Sequence, residues 1–175
     1  MNGEGHIREL FGAADIRRGV ERVAREVLAH FGTRDKVLVP VVLDGGMMFA
    51  ADLLRLLPDN FHMETMRVSS YGAGKESSGE LQWLTPPPNV AGLRVLVVDD
   101  LADSGITLSR ICQRLADMGA AEVRCAVAVD KVERREAGFT PDFAALHTHG
   151  GFLVGYGMDF AGKYRNLPYI GVHED

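Results

Sequence analysis

The sequence predicts an α/β protein with a central, mainly parallel sheet flanked by helices, and three observations predict it. Val37–Leu43 and Val95–Val98 are continuous apolar runs and Val123–Val129 is interrupted only by Arg124; all three are rich in β-branched residues, as expected of strands covered on both faces. Two of these runs pass at once through a glycine-containing turn into helical spacing, the repeated βα unit of a doubly wound sheet. A chain of 175 residues has room for one sizeable core, so a single domain over 1–175 is expected.

The elements follow in order. Ile16, Val20, Val23, Ala24, Val27, Leu28 and Phe31 recur at spacings of three and four, giving an amphipathic helix from about Asp15 that Gly32 stops. In the strand over 37–43, Pro40 removes a ladder donor and predicts a bulge or an edge position. Asp44-Gly45-Gly46 then leads into a helix through Met47, Phe49, Ala50, Leu53, Leu54 and Leu57, ended by Pro58. Phe61–Val68 suits a strand and Gln82-Trp83-Leu84 a weaker one. The intervening 69–79, with three glycines and four serines, cannot bury a face and is expected to be mobile, as a linker, a long hairpin loop or a lid. Short strands are expected at Phe143–Leu146 and Leu167–Val172, with a glycine-spaced segment over Gly151–Gly157.

Composition narrows the function. Hydrophobic residues at 46% and charged residues at 25% are those of a globular protein, and a net charge of −5 gives no broad basic face for nucleic acid. No apolar run reaches membrane-spanning length, and Met1–His6 lacks the basic and apolar regions of a signal peptide, so a cytoplasmic protein is expected. Cys112 and Cys125 read as reduced core thiols.

The chemistry gathers after Val95–Val98. Asp99 and Asp100 are consecutive acids where that run ends, and Asp103-Ser104-Gly105-Ile106-Thr107 forms a loop ahead of a helix through Leu108, Ile111, Cys112, Leu115 and Met118. Ligands of open α/β sheets lie beyond the carboxyl ends of strands, and a helix N-terminus offers free N–H groups to a phosphate. Acids beside a phosphate need another partner, and ribose hydroxyls together with Mg²⁺, an oxygen-seeking cation, supply one. A sugar phosphate meets both demands. A plain strand–turn–helix with a capping aspartate is the alternative.

This stretch resembles the phosphoribosyl diphosphate (PRPP) motif of type I phosphoribosyltransferases: an apolar strand, two acids, two residues, Asp, Ser or Thr, Gly, one residue, Thr. Ser69-Ser70-Tyr71-Gly72, the run Phe152–Phe160 and the run Lys163–Val172 are similar to the hypoxanthine-guanine members in particular. The resemblance implies the type I fold with a small hood formed by terminal segments, the base being covered by about 150–175. It also implies a flexible catalytic loop over about 69–80 that carries Ser70 and Tyr71. The implied reaction is Mg²⁺-dependent transfer of 5-phosphoribosyl from PRPP to hypoxanthine or guanine, giving IMP or GMP and diphosphate in purine salvage. A xanthine-guanine enzyme and a PRPP-fold nucleotide-binding regulator are the alternatives. A homo-oligomer, dimer or tetramer, is expected, with neither nucleic acid nor membrane as partner.

Matched position by position, the resemblance gives Asp99 and Asp100 to ribose and metal, Asp103 to proton acceptance from the purine, and Ser104, Gly105, Ile106 and Thr107 to the 5′-phosphate. Asp44, Gly45 and Arg165 fall on diphosphate contacts. Lys131 falls on the 6-oxo contact, Phe152 on the stacking ring, Leu153 on a backbone contact to the base edge and Asp159 on an acid near the base or a second metal. A non-proline cis peptide is implied at Leu43–Asp44. Two departures stand out: Asp44 occupies the place of a lysine in the family's Leu-Lys-Gly-Gly loop, and Ile106 stands where some members carry lysine. Both remove positive charge near phosphate, so weaker PRPP binding or greater reliance on Mg²⁺ is expected.

Overall fold

A computed structural model of the chain describes residues 6–70, 81–133 and 138–174. Its elements are β1 (His6–Phe11), α1 (Ala13–Phe31), β2 (Val37–Val42), α2 (Met47–Leu54), β3 (Phe61–Met66), β4 (Val68–Ser70) and β5 (Leu81–Trp83). These are followed by β6 (Arg94–Ala102), α3 (Ile106–Asp117), β7 (Glu122–Lys131), β8 (Phe143–Thr148), β9 (Phe152–Val154) and β10 (Ile170–Glu174).

The three apolar runs form the middle of a five-stranded sheet in the order β3-β2-β6-β7-β8, with every neighbouring pair parallel. Side chains alternate across it, as strand geometry requires. Val37, Val39 and Val41 of β2 pack with α1 and α2 on one face, whereas Leu38 and Val42 join Leu108, Ile111 and Leu115 of α3 on the other. The helices after β2 and β6 therefore leave to opposite faces although these strands are neighbours. That is the topological switch point of an open α/β sheet, where a crevice opens beyond the carboxyl ends.

Two smaller sheets complete the fold. β1, β10 and β9 form an antiparallel hood in that order, and β4 pairs with β5 as a hairpin. At the amino ends of the main strands, Glu122 accepts from Arg94 at 2.8 Å, from Arg124 at 3.0 Å and pairs with His30 at 2.7 Å, tying α1 to β6 and β7. No helix among the described residues is long and apolar enough to cross a membrane.

Several expectations are corrected. Pro40 marks neither an edge nor a bulge: β2 lies between β3 and β6 in unbroken register, and its pairing to β6 skips Val39 and Pro40. β6 continues to Ala102, so Asp99 and Asp100 lie within the strand, not beyond it. α2 ends at Leu54, before Leu57, and the Phe61–Val68 run breaks at Arg67, where the chain leaves the main sheet for the hairpin. The strand β1 was not expected at all.

Candidate active site

Four segments meet at the crevice: the loop after β2, the end of β6 with its loop, the end of β7, and the hood. Asp99 and Asp100 form its floor, the Asp100 N–H donating to Asp99 Oδ1 at 2.8 Å. Burial, and then the neighbouring Asp100 charge, push the Asp99 carboxyl well above the usual range. Burial raises Asp100 too, against the hydrogen bond to Asp99, local backbone hydrogen bonds and the more distant Arg165 guanidinium. Such a pair gains from a bound cation. Among the described residues no group of three or more His, Cys, Asp or Glu gathers for a metal. Two carboxylates suit Mg²⁺, which keeps waters and takes further oxygens from substrate phosphates.

The loop after β2 lies directly on this floor. A Cβ added to Gly45 would stand 1.9 Å from Asp100 Oδ2, so only glycine permits the approach. Gly157, at φ +100°, closes on the loop from the hood, and a Cβ there would stand 2.2 Å from the Gly45 carbonyl oxygen. The Leu43–Asp44 peptide is cis, as the resemblance implied. Arg165 donates to the Gly157 carbonyl and pairs with Asp159 at 2.6 Å, while Asp159 also accepts from the Gly162 N–H at 2.7 Å.

Beside the floor is a cup of about 110 Å³ lined by Asp99, Leu101, Ala102, Asp103, Ser104, Gly105, Thr107 and Leu108. Gly105, at φ +79°, turns the chain from strand to helix, and α3 starts there without a side-chain cap. First-turn N–H groups of a helix have no intrahelical acceptors, so an uncapped start beside a cup of this size is suited to a phosphate. Ser104 Oγ accepts from the Ile106 N–H at 3.3 Å.

Next to it opens a cavity of about 450 Å³ lined by Asp100, Leu101, Asp103, Lys131, Glu133, Gly151, Phe152, Leu153, Met158 and Asp159. Lys131, the last residue of β7, is buried, with Nζ 3.5 Å from Asp103 Oδ1. That oxygen is itself buried and makes no hydrogen bond among the described residues. Phe152 lines the cavity, is 54% exposed and meets Phe160 edge-on at 5.5 Å, and Phe160 stacks on His173 at 4.3 Å. Leu153 is buried behind them, paired with Val172 across the hood.

A family model described as the phosphoribosyl transferase domain matches residues 7–161. A hypoxanthine-guanine phosphoribosyltransferase of Aquifex aeolicus (strain VF5) is 35% identical over 170 residues, covering 97% of this chain and 96% of its own. The chain belongs to the hypoxanthine-guanine phosphoribosyltransferases. The Bacillus subtilis (strain 168) enzyme of that name is 34% identical over 164 residues, covering 93% of this chain and 91% of its own. Among solved structures, one from Bacillus anthracis superposes with a TM-score of 0.86 at 30% identity, covering 96% of this chain and 99% of that one. A hypoxanthine phosphoribosyltransferase from Staphylococcus aureus gives 0.89 at 28% identity, covering 95% and 91%.

As a member of this family, the chain brings most of its matched residues to one crevice. Asp99, Asp103, Ser104, Gly105 and Thr107 line the cup, and Asp100, Lys131, Phe152, Leu153 and Asp159 line the adjoining cavity. Ile106 opens α3 beside the cup without lining it. Ser70 closes β4, at the edge of the described residues, and Tyr71 with most of the 69–80 loop lies outside them. Sequence reasoning missed Glu133 and Met158 as lining residues, the Phe160–His173 stack behind Phe152, and Arg67, which pairs with Asp44 at 2.5 Å. Glu133 and Met158 each sit one or two positions from a matched residue, a proximity that would have found them. Nothing local marks Arg67.

Proposed function

We propose that the protein transfers the 5-phosphoribosyl group of PRPP to N9 of hypoxanthine or guanine, forming IMP or GMP and diphosphate in purine salvage. The observation that carries this reading is that Leu101 and Asp103 line both the phosphate-sized cup and the larger cavity, so the end of β6 and the start of its loop span the distance a ribose must bridge between a 5′-phosphate and a base. The new C–N bond forms at the anomeric carbon as the C–O bond to diphosphate breaks, and the sugar gains oxocarbenium character. The protein's task is to hold the leaving diphosphate and the base in line and to keep water out.

In this reading the 5′-phosphate lies on Ser104, Gly105 and Thr107 at the start of α3, and the ribose hydroxyls meet Asp99 and Asp100. The N–H groups of Asp44 and Gly45 with the Arg165 guanidinium receive the diphosphate. Phe152 stacks on the purine, the Leu153 backbone and Asp159 face its edge, and Asp103 takes the proton that the base nitrogen loses. Lys131 has donors only, so it serves a 6-oxo group and opposes a 6-amino group. Asp99 and Asp100 would hold Mg²⁺, which supplies charge neutralisation for the diphosphate. The resemblance assigns Ser70 and Tyr71 to the family's catalytic loop. Reduced Cys112 and Cys125 fit a cytoplasmic protein. Exposed Met47, Leu56 and Met63, around α2 and the edge strand β3, fit burial in a dimer or tetramer.

The test is diphosphate release from PRPP with hypoxanthine, guanine, xanthine and adenine, with Mg²⁺ and after chelation. Turnover with hypoxanthine and guanine, lost on chelation, is expected. Xanthine as the preferred base would move the protein to the xanthine-guanine enzymes, and PRPP binding with no turnover would make it a nucleotide-binding regulator.

A further inference from the structure

The loop after β2 is short of positive charge by its sequence, since Asp44 stands where the family pattern has lysine, yet the fold returns a cation to it. Arg67 NH2 lies 2.5 Å from Asp44 Oδ1, and both side chains are about half exposed, at 52% and 50%. Arg67 is anchored at its backbone. Its N–H donates to Thr85 Oγ1 at 3.0 Å and its carbonyl accepts from the Leu84 N–H at 2.9 Å, at the point where the chain passes from the main sheet into the β4–β5 hairpin. The guanidinium is therefore carried to the loop by fixed backbone, and the carboxylate it meets belongs to the residue whose N–H is assigned to diphosphate. Gly157 closes against Gly45 from the hood, and Arg165 donates to the Gly157 carbonyl. One arginine thus meets this short stretch of backbone at Asp44, and a second holds the hood residue that packs on it.

We infer that Arg67 is a diphosphate-binding residue of this protein, and that Asp44 is the counter-ion that holds its guanidinium in place until diphosphate takes it over. The inference rests on the assignment of the Asp44–Gly45 loop to diphosphate. An exposed carboxylate–guanidinium pair contributes little to stability, so the exchange loses little. Diphosphate carries several negative charges and offers paired oxygens to the planar fork, which a single exposed carboxylate cannot match. Arg67 then takes up the work of the missing lysine from a different strand, and Asp44 prevents an unpaired cation from standing at the crevice.

The experiment measures the Michaelis constants for PRPP and for hypoxanthine, and inhibition by inorganic diphosphate with Mg²⁺, in Asp44→Asn, Arg67→Met, Arg67→Lys and the Asp44→Asn/Arg67→Met pair, with thermal melting of each. Freeing Arg67 by Asp44→Asn is expected to tighten both PRPP and diphosphate about fivefold, the equivalent of about 1 kcal/mol for an exposed pair. Arg67→Met is expected to weaken both by about tenfold or more, as for loss of a charged hydrogen bond, with the hypoxanthine constant unchanged, and Arg67→Lys should lose less. The deciding comparison is Arg67→Met in the Asp44→Asn background. A loss of about tenfold there means that the guanidinium meets diphosphate itself. No loss there means that Arg67 only neutralises Asp44, and overturns the inference. If Gly45→Ala, folded by its melting curve, leaves PRPP and diphosphate binding unchanged, the loop assignment fails instead.

Discussion

Replacing Lys131 by methionine separates substrate choice from folding in one residue. Its side chain is 8% exposed and its ammonium is 3.5 Å from a carboxylate that is 38% exposed, so one partner is fixed in the wall of the cavity and the other can still reach water. A hydrogen bond to a charged group contributes about 1.5–3 kcal/mol. Lys131→Met should therefore lower kcat/KM for hypoxanthine and guanine by about tenfold to a hundredfold. Adenine loses nothing, because the donor facing its 6-amino group has gone, so the oxo-to-amino preference should fall by at least the same factor. The fold should lose about 1 kcal/mol or less, since the freed Asp103 carboxylate can turn to solvent. Asp103→Asn behaves differently. It leaves a buried ammonium without its carboxylate, at a cost of about 1–3 kcal/mol, and lowers turnover by about a hundredfold if Asp103 takes the base proton. Initial rates of diphosphate release with the three purines, alongside thermal melts, read both effects. An unmodified protein that uses adenine efficiently, or a Lys131→Met variant with its preference intact, would refute the assignment of Lys131 to the 6-oxo group.

Two further outcomes are expected. Gly45→Ala places a methyl group 1.9 Å from Asp100 Oδ2, so Asp100 must turn away from the floor, and the Michaelis constant for PRPP should rise by tenfold or more, roughly what a displacement of this size costs an aligned site, with little change in that for the purine. Glu122 is held at about 2 rather than 4.5: burial opposes this, but hydrogen bonds from Arg94, His30 and Arg124 outweigh it. A depressed carboxyl stabilises the fold above its unfolded value and loses that contribution as pH falls. Denaturant melts of the wild type should thus weaken between about pH 4.5 and 2 by at most about 3 kcal/mol, and Glu122→Gln should flatten that limb.

What was legible in the sequence follows from how each feature is encoded. β2, β6 and β7 are buried on both faces, so burial writes near-continuous apolar runs, and the glycine loops stand directly after the runs of β2 and β6, although what Gly45 makes room for, Asp100, lies far along the chain. β1 has no such mark: His-Ile-Arg-Glu-Leu-Phe has no fully buried residue and becomes a strand by pairing with β10, His6 opposite Glu174. Pro40 misled because a missing donor was counted against a whole strand. The register to both neighbours survives the loss, and only the pairing to β6 is interrupted. Arg67 and His173 were out of reach for another reason. Each matters through a side chain met across the fold, Asp44 for one and the Phe160 ring for the other, and no periodicity records such a meeting.

The two ends of the sheet treat charge in opposite ways, and this bears on why the site can hold its ligands. At the amino ends, Glu122 has three basic partners, Arg124 also pairs with Asp142 at 2.9 Å, and Arg94 donates to the Phe31 carbonyl at 2.8 Å while stacking over its ring. Every charge in that cluster is answered within the fold, which joins α1 to the strands. At the carboxyl ends, Asp99 and Asp100 are both pushed above the usual carboxylate range by burial, and Asp103 Oδ1 is buried without a hydrogen bond. Groups left in that condition cost stability until something arrives to satisfy them. A parallel sheet makes this division natural. All its strands present their amino ends together and their carboxyl ends together, so one end can be closed by ion pairs while the other keeps the buried carboxyls of Asp99 and Asp100 for ligands.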